Sequence, residues 1–392
     1  RITPSLFILD FSELSSADSK NQLEQNFNHY CNRRLIETAF LYSEYLPNMP
    51  EIRMDDPASQ NLSTFLGHVK ASGAPPVYVI IDEYDNFVNQ LITRHHDHLY
   101  YEITSGDSFL RTYYKVLKAG RQTGSVTNIF ITGVLPVTID DVCSAYNIAT
   151  FITLDPVYEH MLGFTQEEVD NLMDEVYRDY GIDPSTRNQV DEVIKNMYDG
   201  YHFVKTSSPA VYNSTMLMFF FRQFTELKSI PDNLFDKNLR TDLEWVRRLT
   251  MGKTEILEEF VSRLNVHETV SYSRKALSSQ FNLHEFFEPA FYPVSLFYLG
   301  ILTLKDEFAL TIPNLSMKEM VVEYFNDIFR MDVGLEKYEQ MMREFVSHPD
   351  LTRLFSEYWR LYIGQLPESV FMQVNENFYR KTFYELCSRY LY

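Results

Sequence analysis

One run of nine residues constrains this chain more than any other: Val77-Tyr78-Val79-Ile80-Ile81-Asp82-Glu83-Tyr84-Asp85. Apolar, mostly β-branched residues lead straight into two carboxylates. A buried parallel strand that delivers acids to the carboxyl edge of a sheet has this pattern. In nucleotide triphosphatases the first acid of such a pair holds Mg²⁺ through water, and the second polarises the water that attacks the γ-phosphate. Asp82 is therefore a candidate nucleotide and Mg²⁺ residue, and Glu83 a candidate catalytic residue. A plainer reading stays open: two acids at the start of the following helix, where its dipole favours them. Asp85 is a candidate N-cap for that helix or a supporting partner. No Gly-x-x-x-x-Gly-Lys-Ser/Thr loop occurs among the 392 residues, so half of a phosphate site is missing from the sequence.

The neighbouring patterns point to an α/β fold. Residues 5–11 read as a strand ending at Asp10, 77–81 as a second, 127–132 as a third closing at Gly133, and 150–154 as a fourth. Helical spacing occupies 18–46, 61–71, 84–94 and 107–120 between them. Strands alternating with helices predict a parallel sheet. After residue 156 the pattern turns helical, over 158–180, 184–199, 214–227 and 238–264. Thr165 and Glu168 have the spacing of a capping box, and Pro184 opens the next helix. Two short strands are expected within 296–312, then helices at 316–330, 335–363 and 374–390.

Composition limits the alternatives. A net charge of −19 disfavours broad, non-specific binding to nucleic acid or anionic membrane. It leaves room for a local basic groove. Cys31, Cys143 and Cys387 are few and far apart, without disulfide or zinc spacing, which fits an intracellular setting, cytoplasmic or nuclear. No apolar run approaches the roughly 18 to 20 residues of a membrane span. Met216 to Phe221 is the greasiest stretch and is too short.

Other motifs carry less. Thr132, at the end of the third strand, would lie beside a γ-phosphate and sense it. An ordinary strand-to-loop turn explains it equally simply. Gly252-Lys253-Thr254 lacks the preceding glycine of a phosphate loop, because Arg247 stands there. His95, His96 and His98 cluster without the further ligands a metal needs. Lys237, Arg240, Arg247, Arg248 and Lys253 interleave with acids in a helical pattern that i,i+4 pairing accounts for.

Eight short strings then agree, in order, with one family: LDFS (9–12), VIIDEYDN (79–86), IFITGVLPV (129–137), LGFTQEEV (162–169), YDGYHF (198–203), VYN (211–213), YLGILT (298–303) and LTIPN (310–314). Over roughly residues 5–330 the chain resembles the AAA-ATPase-like proteins that carry a PD-(D/E)XK nuclease domain at the C-terminus. The resemblance implies an α/β, P-loop NTPase-like parallel sheet lacking its phosphate-loop strand, then a mainly helical region with a small winged-helix-like element. It divides the chain into 1–156 (NTPase core), 157–230 (lid-like), 231–334 (winged-helix-like) and 335–392 (helical linker and start of a nuclease-like domain). ATP and Mg²⁺ are the implied cofactors, with Asp82, Glu83 and Thr132 in the roles given above. DNA or RNA is an implied partner through the nuclease domain, a homo-oligomer is implied by the AAA-like core, and no membrane is involved. The other class of function is a non-catalytic scaffold that keeps the NTPase fold.

Departures qualify the resemblance. Asn213-Ser214-Thr215 stands where the family often has Asn-Pro-Phe or Asn-Pro-Tyr, which affects a local turn. Glu376 matches the acid of the first nuclease helix. Arg121 is the least poor candidate for an arginine that completes a neighbour's site. In such NTPases, strands 127–132 and 150–154 would flank the phosphate-loop strand. Each buried backbone group left unpaired by its absence costs roughly 1–3 kcal/mol, against roughly 5–15 kcal/mol for a whole domain. An upstream segment is therefore expected in the molecule that folds.

Overall fold

A computed structural model describes residues 5–15, 17–93, 96–135, 150–235, 254–278, 283–334 and 336–391. Two compact units make up the chain: Arg1–Thr150 with Gln280–Phe286, and Phe151–Ser279 with Phe287–Tyr392.

The first unit runs β1 (Ser5–Asp10), α1 (Lys20–Leu41), α2 (Ala58–Ala71), β2 (Val77–Asp82), α3 (Asn86–Thr93), α4 (Asp97–Thr104), α5 (Phe109–Thr123) and β3 (Val126–Ile131). The strands form a parallel sheet in the order β1-β2-β3, with Asp10 opposite Asp82 and Ile81 opposite Ile131. This is the α/β arrangement expected from the alternating pattern. One face is dry: Phe7, Leu9, Val77, Val79 and Ile81 are fully buried, and the Phe65 ring of α2 lies 6.4 Å from that of Phe7. The other face is not. Leu6 and Ile8 are 41% and 39% exposed, so hydrophobic runs that read as buried on both sides are buried on one.

β1 is a sheet edge, and α1 closes it. Tyr42 and Tyr30 hydroxyls accept hydrogen bonds from the Leu6 and Asp10 amides (3.0 and 2.7 Å), and Arg34 Nε donates to the Ile8 carbonyl (3.1 Å). Residues 6, 8 and 10 turn their backbone groups away from β2, and side chains of one helix satisfy them. That arrangement blocks pairing with another chain's strand.

Residues 150–154 form no strand, which corrects the expectation of a fourth. The Asp155 amide turns back to the Ile152 carbonyl (3.0 Å), and the Asp155 carboxylate caps a 3₁₀ turn over Pro156–Tyr158. Phe151 is 44% exposed. Five residues with one exposed aromatic bury too little to hold a strand against a turn that Asp155-Pro156 dictates. The pair of strands expected to flank a missing central one is therefore reduced to β3.

The second unit contains α6 (Gln166–Tyr180), α7 (Arg187–Tyr198), α8 (Ser214–Leu227), α9 (Thr254–His267), β4 (Thr269–Ser271), α10 (Tyr292–Tyr298), β5 (Thr303–Leu304), β6 (Ala309–Thr311), α11 (Leu315–Ile328), α12 (Glu336–Ser347), α13 (Leu351–Leu361) and α14 (Glu376–Leu391). Its three short strands are antiparallel in the order β4-β6-β5. Thr165 and Glu168 form the expected capping box. The helix starts there and not at 158, because Gly163 has φ +106° and Phe164 pairs with Tyr212. A Cβ on Gly163 would meet the Tyr212 carbonyl oxygen at 2.7 Å. Leu296-Phe297-Tyr298, expected in a strand, belongs to α10, which Pro293 opens in its first turn. The expected helix over 335–363 is broken by Pro349, after which Asp350 caps α13. Of the expected helix over 238–264, residues 238–253 lie outside the described residues.

A charged cluster sits where α11, α14 and α7 meet. Glu319 and Glu323 of α11 face Glu385 and Arg389 of α14, and Glu319 also acts on Tyr198 of α7. Burial, then the charges of Glu385 and Glu323, push the Glu319 carboxyl up to about 7, with Arg389 opposing them. The folded protein thus holds the Glu319 proton more tightly than the unfolded chain does. This favours folding fully below the ordinary value of 4.5, and the contribution is lost as pH rises through about 7. Glu319→Gln should leave stability at pH 5 nearly unchanged and raise it at pH 8 by about 2 kcal/mol. Urea denaturation at the two pH values measures this, and an equal change at both would overturn it.

Candidate functional site

Pairing between β2 and β3 continues past the ends of the strands. The Thr132 amide donates to the Ile81 carbonyl (2.9 Å), and the Tyr84 amide donates to the Thr132 carbonyl (3.1 Å). These two bonds set Thr132 beside Asp82. The Thr132 hydroxyl donates to Asp82 Oδ1, which also accepts the Glu83 amide at 3.0 Å. Asp82 is exposed at the rim. Glu83 has φ +52°, a left-handed conformation that L residues other than glycine, asparagine and aspartate seldom adopt. Its carboxylate accepts from Asn86 Nδ2 at 3.3 Å. Burial pushes the Glu83 carboxyl upward; Asn86 opposes this, and the charges of Asp85, Asp82 and Asp10 add to it. The three site residues read from the sequence, Asp82, Glu83 and Thr132, are thus brought together at the carboxyl edge of the sheet.

Asp85 belongs to the same corner but faces inward. It is fully buried. Oδ1 accepts the Val134 amide (3.1 Å), and Oδ2 accepts the Leu135 amide (2.8 Å) and Asn89 Nδ2 (2.8 Å). Burial pushes its carboxyl upward, and these donors oppose the shift. Tyr84 is buried beside it and donates its hydroxyl to the Leu135 carbonyl. Gly133 makes this possible: a Cβ there would lie 2.3 Å from the Tyr84 ring and 2.4 Å from Asp85 Oδ1. So Asp85 is a supporting partner that ties residues 133–135 to the acid turn. The sequence alone assigned Tyr84 and Gly133 no role in this corner. The available signal was the Thr-Gly pair after a strand, where a missing Cβ permits close approach. Asp10, opposite Asp82 in register, also adds to the local negative field.

The other singled-out residues lie elsewhere. Arg121, in the last turn of α5, donates to the Thr127 carbonyl of its own chain. His96 stands 3.8 Å from Asp18, and His98 stands 3.4 Å from Glu102 on α4. His95, Gly252, Lys253 and the basic residues 237–248 lie outside the described residues. Glu376 begins α14 and is exposed. Among the described residues no set of three or more His, Cys, Asp or Glu side chains is arranged to hold a metal ion directly.

One comparison with known proteins bears on the first unit. Residues 4–143 match the family model AAA-ATPase_like, described as "Predicted AAA-ATPase". That segment is similar to this family, in line with the resemblance drawn from the sequence strings. No curated protein and no solved structure matches it. No helix among the described residues is long and apolar enough to cross a membrane.

The corner makes two opposite predictions. Gly133→Ala should lower stability by about 1–3 kcal/mol, because the new methyl has only the Tyr84 ring and the Asp85 carboxylate to displace. Glu83→Gly should leave stability unchanged or raise it by up to about 1 kcal/mol, because it relieves left-handed strain without changing the backbone path. Chemical denaturation of the two variants checks both, and destabilisation by Glu83→Gly would show that the side chain's contacts outweigh the strain.

Proposed function

We propose that this AAA-ATPase-like chain binds and hydrolyses ATP with Mg²⁺ at the rim formed by Asp82, Glu83 and Thr132. The observation that carries the reading is the juxtaposition of an exposed strand-end aspartate, a glutamate in a strained turn and a hydroxyl from the adjacent strand. Backbone strain of the Glu83 kind concentrates at functional sites. The donor set fits the group: a hard carboxylate for a hydrated Mg²⁺, a second carboxylate to orient water, and a hydroxyl donor for a phosphate oxygen. When bound, Mg²⁺–ATP supplies the electrophilic phosphorus and a cation that neutralises the charge spread over the phosphates. Asp82 would accept hydrogen bonds from water on the metal. Glu83 would hold and orient the attacking water, and Thr132 would donate to the γ-phosphate. The lysine and hydroxyl of a phosphate loop are not in this sequence.

The same reading extends to a P-loop NTPase sheet whose ATP turnover moves the helical region and gates a nuclease domain on DNA or RNA, in a homo-oligomer. Support for that extension is the family-like order of strings and the Asn375–Thr382 segment, with Glu376 as its acid. The small antiparallel sheet beside α9 and α11 would be the winged-helix-like element. A second reading is a non-catalytic scaffold that retains the NTPase fold.

Glu83→Gln discriminates between them. In the full-length protein this change should lower the ATPase kcat by about 100-fold or more while the KM for ATP stays within about threefold. The upward shift of the Glu83 carboxyl by burial should also move the acid limb of the wild-type pH–rate profile upward, because activity needs the ionised form. That limb should vanish in the variant. Equal rates would remove Glu83 from the reaction, and absence of Mg²⁺-dependent ATP binding by the wild type would leave the scaffold reading.

A further inference from the structure

We infer that Asp85, with the Tyr84 hydroxyl, is a positioning element that holds the loop carrying Thr132 at the height of Asp82 and Glu83; this rests on the nucleotide-site reading of that rim.

Three independent ties converge on four consecutive residues. The Tyr84 amide holds the Thr132 carbonyl, the Asp85 carboxylate takes the Val134 and Leu135 amides, and the Tyr84 hydroxyl takes the Leu135 carbonyl. Gly133 closes the gap by offering no Cβ. Asp85 and Glu83 sit on one short turn, so the donor to a phosphate and the acid that orients water share a single rigid mount.

The use of a carboxylate is itself informative. Asp85 is fully buried and spends both oxygens on neutral donors. A buried charge is held only at a penalty. A carboxylate of this length nevertheless offers a separate acceptor oxygen to each of the two backbone amides. Asparagine has the same shape but would turn an NH₂ group toward one amide N–H. Asp85→Asn therefore loosens the loop at one point without emptying the space.

Displacement of a reacting or binding group by about 1 Å is enough to cost about 10²-fold in rate. The full-length Asp85→Asn protein, assayed well below its melting temperature, should show a kcat for ATP lowered about 10- to 100-fold and a KM within about threefold of wild type. Tyr84→Phe removes only the hydroxyl, keeps the ring that fills the corner, and should show the same kcat-selective loss on a smaller scale. If Asp85 acts through Thr132, the double variant Asp85→Asn/Thr132→Ala should be no slower than Thr132→Ala alone. A purely structural role would instead lower the melting temperature while leaving kcat per folded molecule intact, or would make the two losses multiply. Either result overturns the inference while the ATPase itself stands. A wild-type protein that hydrolyses no ATP overturns the nucleotide reading, and the positioning role with it. Should Asp85→Asn fail to fold, Tyr84→Phe with unchanged kcat is decisive against it.

Discussion

The buried Asp85 carboxylate is the interaction on which the corner of the first unit depends. It joins two segments nearly fifty residues apart by accepting the Val134 and Leu135 amides. Without it, the buried Leu135 amide would lose its partner, at roughly 1–3 kcal/mol. Around this ion the chain makes its least common choices: a left-handed Glu83, a glycine pressed against an aromatic ring, and a hydroxyl bonded to Asp82. Rigidity is what a site needs if its groups are to meet a reacting phosphate without rearranging.

The second unit is organised by a comparable set of close backbone approaches. Gly200 has φ +104°, and a Cβ there would lie 2.4 Å from the Pro313 carbonyl oxygen. Asn314 donates from its side chain to the Asp199 carbonyl (2.9 Å) and caps α11 by accepting the Met317 amide (3.1 Å). The His202 amide donates to Thr303 Oγ1 (2.6 Å), and that hydroxyl returns to the His202 carbonyl (3.0 Å). Tyr201 and Val211 pair, as do Phe164 and Tyr212. The strings LGFT, YDGYHF, VYN, YLGILT and LTIPN thus meet in one knot of backbone contacts, while LDFS, VIIDEYDN and IFITG meet at the sheet rim. Where the family often has proline after Asn213, Ser214 occupies the first position of α8, with Asn213 as its cap. Proline is favoured there for its fixed φ, and serine also fits, so the helix start survives the substitution.

Much of the architecture was legible in advance. Three parallel strands and most helices follow from apolar runs and 3.6-residue spacing, and the capping box at Thr165 follows from side-chain chemistry within four residues. The misses share a cause. Thr150-Phe-Ile-Thr-Leu has strand composition, but a local turn at Asp155-Pro156 and the lack of a burying partner decided against it. Leu296-Phe297-Tyr298 is apolar enough for a strand or a buried helix, and a run so short does not distinguish them. Pro349 inside an otherwise helical stretch should have been read as a break. Within the site, Asp82, Glu83 and Thr132 were legible because each ends or follows a recognisable strand.

What the sequence alone determined is local: which residues alternate, which cap, and which carboxylates sit at a strand's end. Only the tertiary structure decided that Asp82 and Glu83 face the solvent rim while Asp85, two residues on, is buried and spent on the loop after β3. It also decided that Arg34, Tyr30 and Tyr42 serve an exposed strand edge. The physical reason is that a side chain's role depends on the donors brought to it from distant sequence. Those donors arrive only when strands pair in register and the turns between them close.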